Sequence, residues 1–382
     1  MKLFMCQSCG QLLYFENRTC QNCSHKLGYL PKENVLSALE QSGTDWRALA
    51  APETLYRFCG NSAFDVCNWL VSSESSEKYC TACRHNRMVP DHRQPGNLAA
   101  WYKLEVAKHR LIYTLMRLKL PLENRNDIGD QGLAFDFLAD AKDTPTPNVM
   151  TGHDDGLITI ALAEADDVER ERRRNVMREP YRTLLGHFRH EVGHYYWDRL
   201  VRDSGKLDAC RKIFGDDRED YDEALQKHYT NGAPSNWQER FVSSYATTHP
   251  WEDFAETWAH YLHIVDTLEM AEAFNLRASP QLNTDIEANV DFTPYAAAHV
   301  QQLTNTWIPL TFALNSLNRT MGREDLYPFI ISPPVIEKLG FIHDLVHQAE
   351  QDSACNHICS EAGRARSDGL GVRKESYQGE RA

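Results

Sequence analysis

Apolar positions recur at helical spacing from Leu98 to Leu120, LAAWYKLEVAKHRLIYTLMRLKL, until PLENRNDIGD breaks the run, which predicts a long helix. GLITIALAEAD, residues 156–166, mixes β-branched and small residues and predicts a strand. A second helix is expected from Pro180 through YRTLLGHFRHEVGHYYWDRLV, because proline suits the first turn, where its missing N–H has no partner to lose. Leu184, Leu185, Phe188, Val192, Tyr195 and Tyr196 supply its apolar faces. A third helix is expected from Pro250, with Trp251, Phe254, Ala255, Trp258 and Leu262 forming a broad packing surface. The charged run from Glu164 to Glu179 reads as a solvated connection or helix, and the Gly-, Arg-, Ser- and Glu-rich residues from about 363 to 382 as a disordered tail. The expected fold class is α+β, mainly helical with a small sheet.

Length and charge narrow the picture. The chain has 382 residues, 42% of them hydrophobic, enough for two or three domains with a sizeable core. Its formal net charge of −13 argues against general affinity for nucleic acid or anionic membranes. No apolar run approaches the ~20 residues needed to cross a bilayer. The start, MKLFMCQSCG, lacks the layout of a secretory signal, so a cytoplasmic location is expected.

In a reducing compartment the 11 cysteines point to metal rather than disulfides. Cys6, Cys9, Cys20 and Cys23 form two CxxC knuckles, each placing two thiolates on one tight turn, and together they can close a tetrahedral S4 shell around a structural zinc. Cys59, Cys67, Cys80 and Cys83 form a second set; only Cys80-Thr-Ala-Cys83 has knuckle spacing, so a second structural zinc requires the fold to bring two pairs together. Residues 1–92 carry nine Lys/Arg and nine Asp/Glu, no footprint for DNA, and suggest a cysteine-rich zinc-ribbon domain that acts as a scaffold or docks a protein partner. Residues 93–345 are expected to form the main domain and 346–382 a tail. Cys355, His357 and Cys359 are assigned no metal.

The chemistry concentrates in HEVGH. One helical turn places His190 and His194 on one face, within reach of a single zinc ion, with Glu191 beside it and able to relay a proton from water to a leaving amine. Asp198, one turn on, is a candidate hydrogen-bond acceptor for a ligand histidine, and His187 a spare ligand or a surface histidine. A catalytic zinc usually takes a third protein ligand. In PWEDFAETWAH, Glu252, Glu256 and His260 follow at intervals of four; spacing alone leaves open whether they are a solvated stripe or a carboxylate ligand backed by another. Asp253 points roughly 100° away from Glu252 around the helix and is disfavoured.

HEVGH with Asp198, then Tyr245 shortly before PWEDFAE, resembles the catalytic core of gluzincin metallopeptidases of the bacterial lethal-factor type. The resemblance implies a zincin-like domain in which Glu252 is the third ligand, Glu256 a carboxylate behind the ligands and Tyr245 the phenol that donates to the oxyanion. The whole layout, an N-terminal zinc ribbon followed by this core, is similar to a bacterial family of zinc-binding metallopeptidases. It implies one catalytic and one or two structural zinc ions, and a peptide or protein substrate that could add as an edge strand to the sheet containing GLITIALAEAD. No membrane or nucleic-acid partner is expected. The competing function is a non-catalytic, zinc-stabilised interaction module, which would have no use for Glu191 as a base.

Overall fold

The computed structural model describes residues 2–139, 149–168, 170, 183–281 and 286–368, with side chains as far as residue 351. Short strands β1 (Phe4–Met5) and β2 (Leu12–Leu13) pair as a hairpin. Five strands then form an antiparallel meander: β3 (Lys26–Leu30), β4 (Val35–Ser42), β5 (Asp45–Ala48), β6 (Leu55–Phe58) and β7 (Leu70–Ser72). Each cysteine knuckle turns back through the left-handed region, at Gly10 (φ 75°) and at Ser24 (φ 62°). Both residues donate their N–H to the carbonyl of the knuckle's first cysteine, Cys6 or Cys20, at 2.9 Å.

A second sheet has the order β10, β11, β9, β8, formed by Gly152–Asp154, Leu157–Ala161, Ala134–Leu138 and Asn86–Met88. β8, β9 and β11 run parallel, and β10 is antiparallel to β11. GLITIALAEAD therefore supplies a strand of the small sheet, β11, followed by a 3₁₀ turn, Leu162–Ala165. It is enclosed by β9 and β10, and β10 and β8 are the two edge strands among the described residues.

The longer helices among the described residues are α1 (Asn97–Arg117), α2 (Leu184–Trp197), α3 (Leu207–Phe214), α4 (Tyr221–Asn231), α5 (Pro250–Ala273), α6 (Val300–Thr320) and α7 (Pro333–Asp368). The first helix begins one residue before its expected start and ends at Arg117, short of the expected Leu120. Pro180 lies outside the described residues; α2 is described from Leu184, with the Thr183 hydroxyl accepting from Gly186 N at 2.9 Å as its cap. The α5 helix starts at Pro250 as its sequence predicts, behind His249 as N-cap. α7 runs through residue 345, where the sequence suggested a tail, and residues 369–382 lie outside the described ones. Most of the Glu164–Glu179 run is also outside them, but Glu164 itself is buried rather than solvated and pairs with His187 at 3.2 Å.

One apolar core joins the cysteine-rich region to the rest: Trp69 packs in the same cluster as Trp101, Tyr113, Phe188 and Trp258. The link is explicit in ring contacts of Phe15 and Tyr29 with Tyr113 on α1, at 5.4 and 6.3 Å, and the Tyr113 hydroxyl in turn donates to Glu269 on α5 at 2.7 Å. Strand β8, from the cysteine-rich region, also belongs to the second sheet, so residue 92 separates sequence modules that fold against each other.

Helices α2 and α5 approach closely because Gly193 carries no side chain. A Cβ there would lie 3.0 Å from Ala255 Cα and 3.2 Å from Trp258 Cβ. Asp253, on the far side of α5, forms a buried ion pair with Lys338 on α7 at 2.6 Å, and Lys338 also donates to the Arg240 carbonyl at 2.7 Å. Replacing Asp253 by Ala strands that ammonium in the core and should cost about 3–5 kcal/mol in denaturant unfolding, whereas the paired Asp253→Leu/Lys338→Met change should stay near wild type or above it. Equal losses in both variants would show that packing, not the stranded charge, sets the cost.

Candidate active site and metal centres

Three acceptor atoms on α2 and α5 converge. His190 Nε2 lies 3.2 Å from His194 Nε2, and Glu252 Oε2 lies 3.0 Å from the first and 3.5 Å from the second. Ligand atoms at ~2.0–2.1 Å from one tetrahedral ion would sit about 3.3–3.4 Å apart, the spacing found here. The His190 Nδ1–H donates to Glu256 Oε1 at 2.7 Å, and Ser243 Oγ donates to Glu256 Oε2 at 2.6 Å. In that tautomer His190 Nε2 presents a lone pair to the centre. Glu252 Oε2 is buried, with no hydrogen-bond donor on it among the described residues. Buried acceptors facing one another repel unless a cation or proton lies between them, so this donor set fits a zinc ion. Burial opposes charge on His190, but Glu252 and Glu256 outweigh it and hold the imidazole well above its usual range. A metal binding there displaces a proton.

Glu191, 9% exposed, contributes no atom to the convergence. Asp198 bonds along its own helix. It opens a π-helical turn, Asp198–Arg202, and its Oδ1 accepts from Arg202 Nη1 at 2.7 Å, while His194 Nδ1 has no hydrogen-bond partner among the described residues. Burial pushes the Asp198 carboxyl up to about 6. Tyr245 sits with its ring 6.0 Å from that of His190. His260 contributes no atom to the convergence, and its Nδ1 pairs with Tyr327 OH at 2.7 Å.

Several neighbours were not found by sequence reasoning. The Trp251 ring stacks 3.8 Å from His194. His153, on edge strand β10, lies 6.2 Å from the same imidazole, and burial pushes its pKa down to about 3, keeping it neutral. The Tyr221 hydroxyl donates to Glu252 Oε1 at 2.7 Å. His153 and Tyr221 had no spacing signal, since each reaches the site from a separate segment, whereas Trp251 precedes Glu252 on α5 and its spacing marked it only as a packing residue.

Both cysteine sets come together. In the first, Cys6 and Cys23 sulfurs are 3.6 Å apart, as are those of Cys9 and Cys20; in the second, Cys67 and Cys80 are 3.8 Å apart. Thiolates at ~2.3 Å from one tetrahedral zinc would be about 3.8 Å apart. The second set is fully buried and draws on α1: His109 Nε2 lies 3.3 Å from Cys67 Sγ and 3.7 Å from Cys83 Sγ. Buried Lys108 pairs with Glu105 at 2.8 Å beside them. Four thiolates on one divalent ion leave net negative charge, and these α1 donors offset part of it in the core.

Residues 97–345 match the family described as "Putative zinc-binding metallo-peptidase", and residues 3–94 match a zinc-ribbon domain. The chain is 42% identical over 353 residues to uncharacterized proteins of Mycobacterium tuberculosis and Mycobacterium bovis, an alignment covering 92% of this chain and 97% of each relative. No solved structure matches. Among the described residues, no helix is long and apolar enough to cross a membrane.

Proposed function

This chain belongs to the family described as "Putative zinc-binding metallo-peptidase", and we propose that it hydrolyses a peptide or related amide bond at a zinc centre formed by His190, His194 and Glu252. The observation that carries this reading is the convergence of two imidazole nitrogens and one donor-free carboxylate oxygen within 3.5 Å of one another. Zinc bound there would supply Lewis acidity to a carbonyl and lower the pKa of water. Glu191 takes the proton from the attacking water and passes it to the leaving amine, a role with no purpose in a structural site. Burial, with the nearby Glu252 charge, pushes the Tyr245 phenol up, so it remains a protonated donor suited to an oxyanion. Glu256, held by Ser243, orients His190.

We read the domain as zincin-like with a gluzincin ligand set. Edge strand β10 lies beside α2, placed to pair with an extended substrate. Each cysteine set holds one structural zinc, giving three ions per chain in this account. Incubating the full-length protein with a mixed peptide library and sequencing the products by mass spectrometry tests the activity. New termini with wild type and none with Glu191→Gln are expected; cleavage by both alike would reject the assigned site.

A further inference from the structure

Glu252 presents Oε2 to the two imidazoles, and its other oxygen is occupied. Tyr221 donates its hydroxyl to Oε1 at 2.7 Å. This tyrosine is the first residue of α4, a helix none of whose residues is fully buried, so no core of its own fixes it against the site. Two local devices place it instead. Asp220 caps α4 by accepting from Glu223 N at 2.8 Å. His249 accepts from Trp251 N through Nδ1 and donates from Nε2 to the Glu219 carbonyl, both at 3.1 Å. One imidazole thereby ties the chain just before Tyr221 to the start of the helix that carries Glu252. The Tyr221 ring also packs 5.5 Å from His249 and 6.0 Å from Trp251.

We propose that Tyr221 is a positioning residue for the metal centre, its hydroxyl holding Glu252 Oε1 so that only Oε2 faces the ion. The proposal rests on the reading of His190, His194 and Glu252 as the zinc centre. A buried carboxylate without that donor can rotate or turn both oxygens to a metal, and either movement changes how firmly and in what geometry the ion is held. The same bond makes the seating of exposed α4 part of the metal centre.

Competition with a chromophoric zinc chelator tests this on the full-length protein. Tyr221→Phe should weaken the His/Glu-bound zinc by about tenfold while the cysteine-bound ions stay in place, and Tyr229→Phe, on the same helix, should not. Cobalt(II) put into that centre, with the cysteine sites still counted as zinc-loaded, reads the carboxylate directly. Without the phenol, Oε1 is free to join Oε2 and the visible absorption should fall, as it does when cobalt gains a ligand; a general loosening of the fold would not produce that change at an unaltered melting temperature. Zinc affinity within about twofold of wild type and an unchanged cobalt spectrum in Tyr221→Phe would overturn the proposal. Failure of His190→Ala/His194→Ala to remove one ion would instead overturn the site reading beneath it.

Discussion

Glu191→Gln is expected to keep the full zinc content and to lose about 10²–10⁴-fold in the rate of amide hydrolysis, the range associated with a positioned general acid–base. Glutamine has nearly the same shape and leaves α2 undisturbed. Metal retention follows because Glu191 gives no atom to the His190–His194–Glu252 convergence. The rate loss follows because the amide cannot accept the proton of water at neutral pH, and the neighbouring carboxylates are committed. Glu252 faces the two imidazoles and Tyr221, and Glu256 is held between His190 and Ser243. Initial rates on a peptide identified from the library, together with elemental analysis of the same preparation, measure both halves. Activity within tenfold of wild type would mean that another group carries the proton.

The second large effect lies away from the chemistry. Cys67→Ser/Cys83→Ser should remove one zinc and unfold the metallopeptidase region along with the ribbon. Structural zinc in small domains contributes about 10–16 kcal/mol, comparable to or above the ~5–15 kcal/mol that separates most folded proteins from the unfolded state. The coupling arises because these sulfurs are buried against α1 through His109, inside the same core as Trp101, Phe188 and Trp258. Cys9, by contrast, is exposed, and Cys6→Ser/Cys9→Ser should loosen the outer ribbon and leave the helical region intact. Far-UV circular dichroism and limited proteolysis of the two variants separate these outcomes. Similar protection of the helical region in both would show that the second cysteine set does not staple the regions together.

What was legible in the sequence is what is local. His190, Glu191 and His194 share one helical turn, and the CxxC knuckles are single tight turns, so spacing alone places their side chains. The stripe at Glu252 and Glu256 was ambiguous until a resemblance chose between its readings, because a helical period cannot tell a solvated carboxylate from one aimed at a neighbouring helix. The close contact of α2 with α5 through Gly193 settles where both point. Long-range partners left no trace: Tyr221 and Ser243 reach Glu252 and Glu256 from loops and helix starts, and His109 reaches Cys67 from 42 residues away. Strand β10 spans only Gly152–Asp154, too short for any alternation to mark it, so the strand that borders β11 on the open side of the sheet had no sequence signal. Asp198 lies one regular turn beyond His194 in sequence, but the π-helical turn beginning there gives its carboxylate to Arg202.

Zinc per chain, measured by elemental analysis in wild type and in His190→Ala/His194→Ala, addresses the central claim most directly. Three ions falling to two, with the cysteine-bound pair retained and the fold intact, is the predicted result. An unchanged count would contradict it, showing that the convergence on α2 and α5 holds no zinc and that the chain's metal belongs to its cysteines alone.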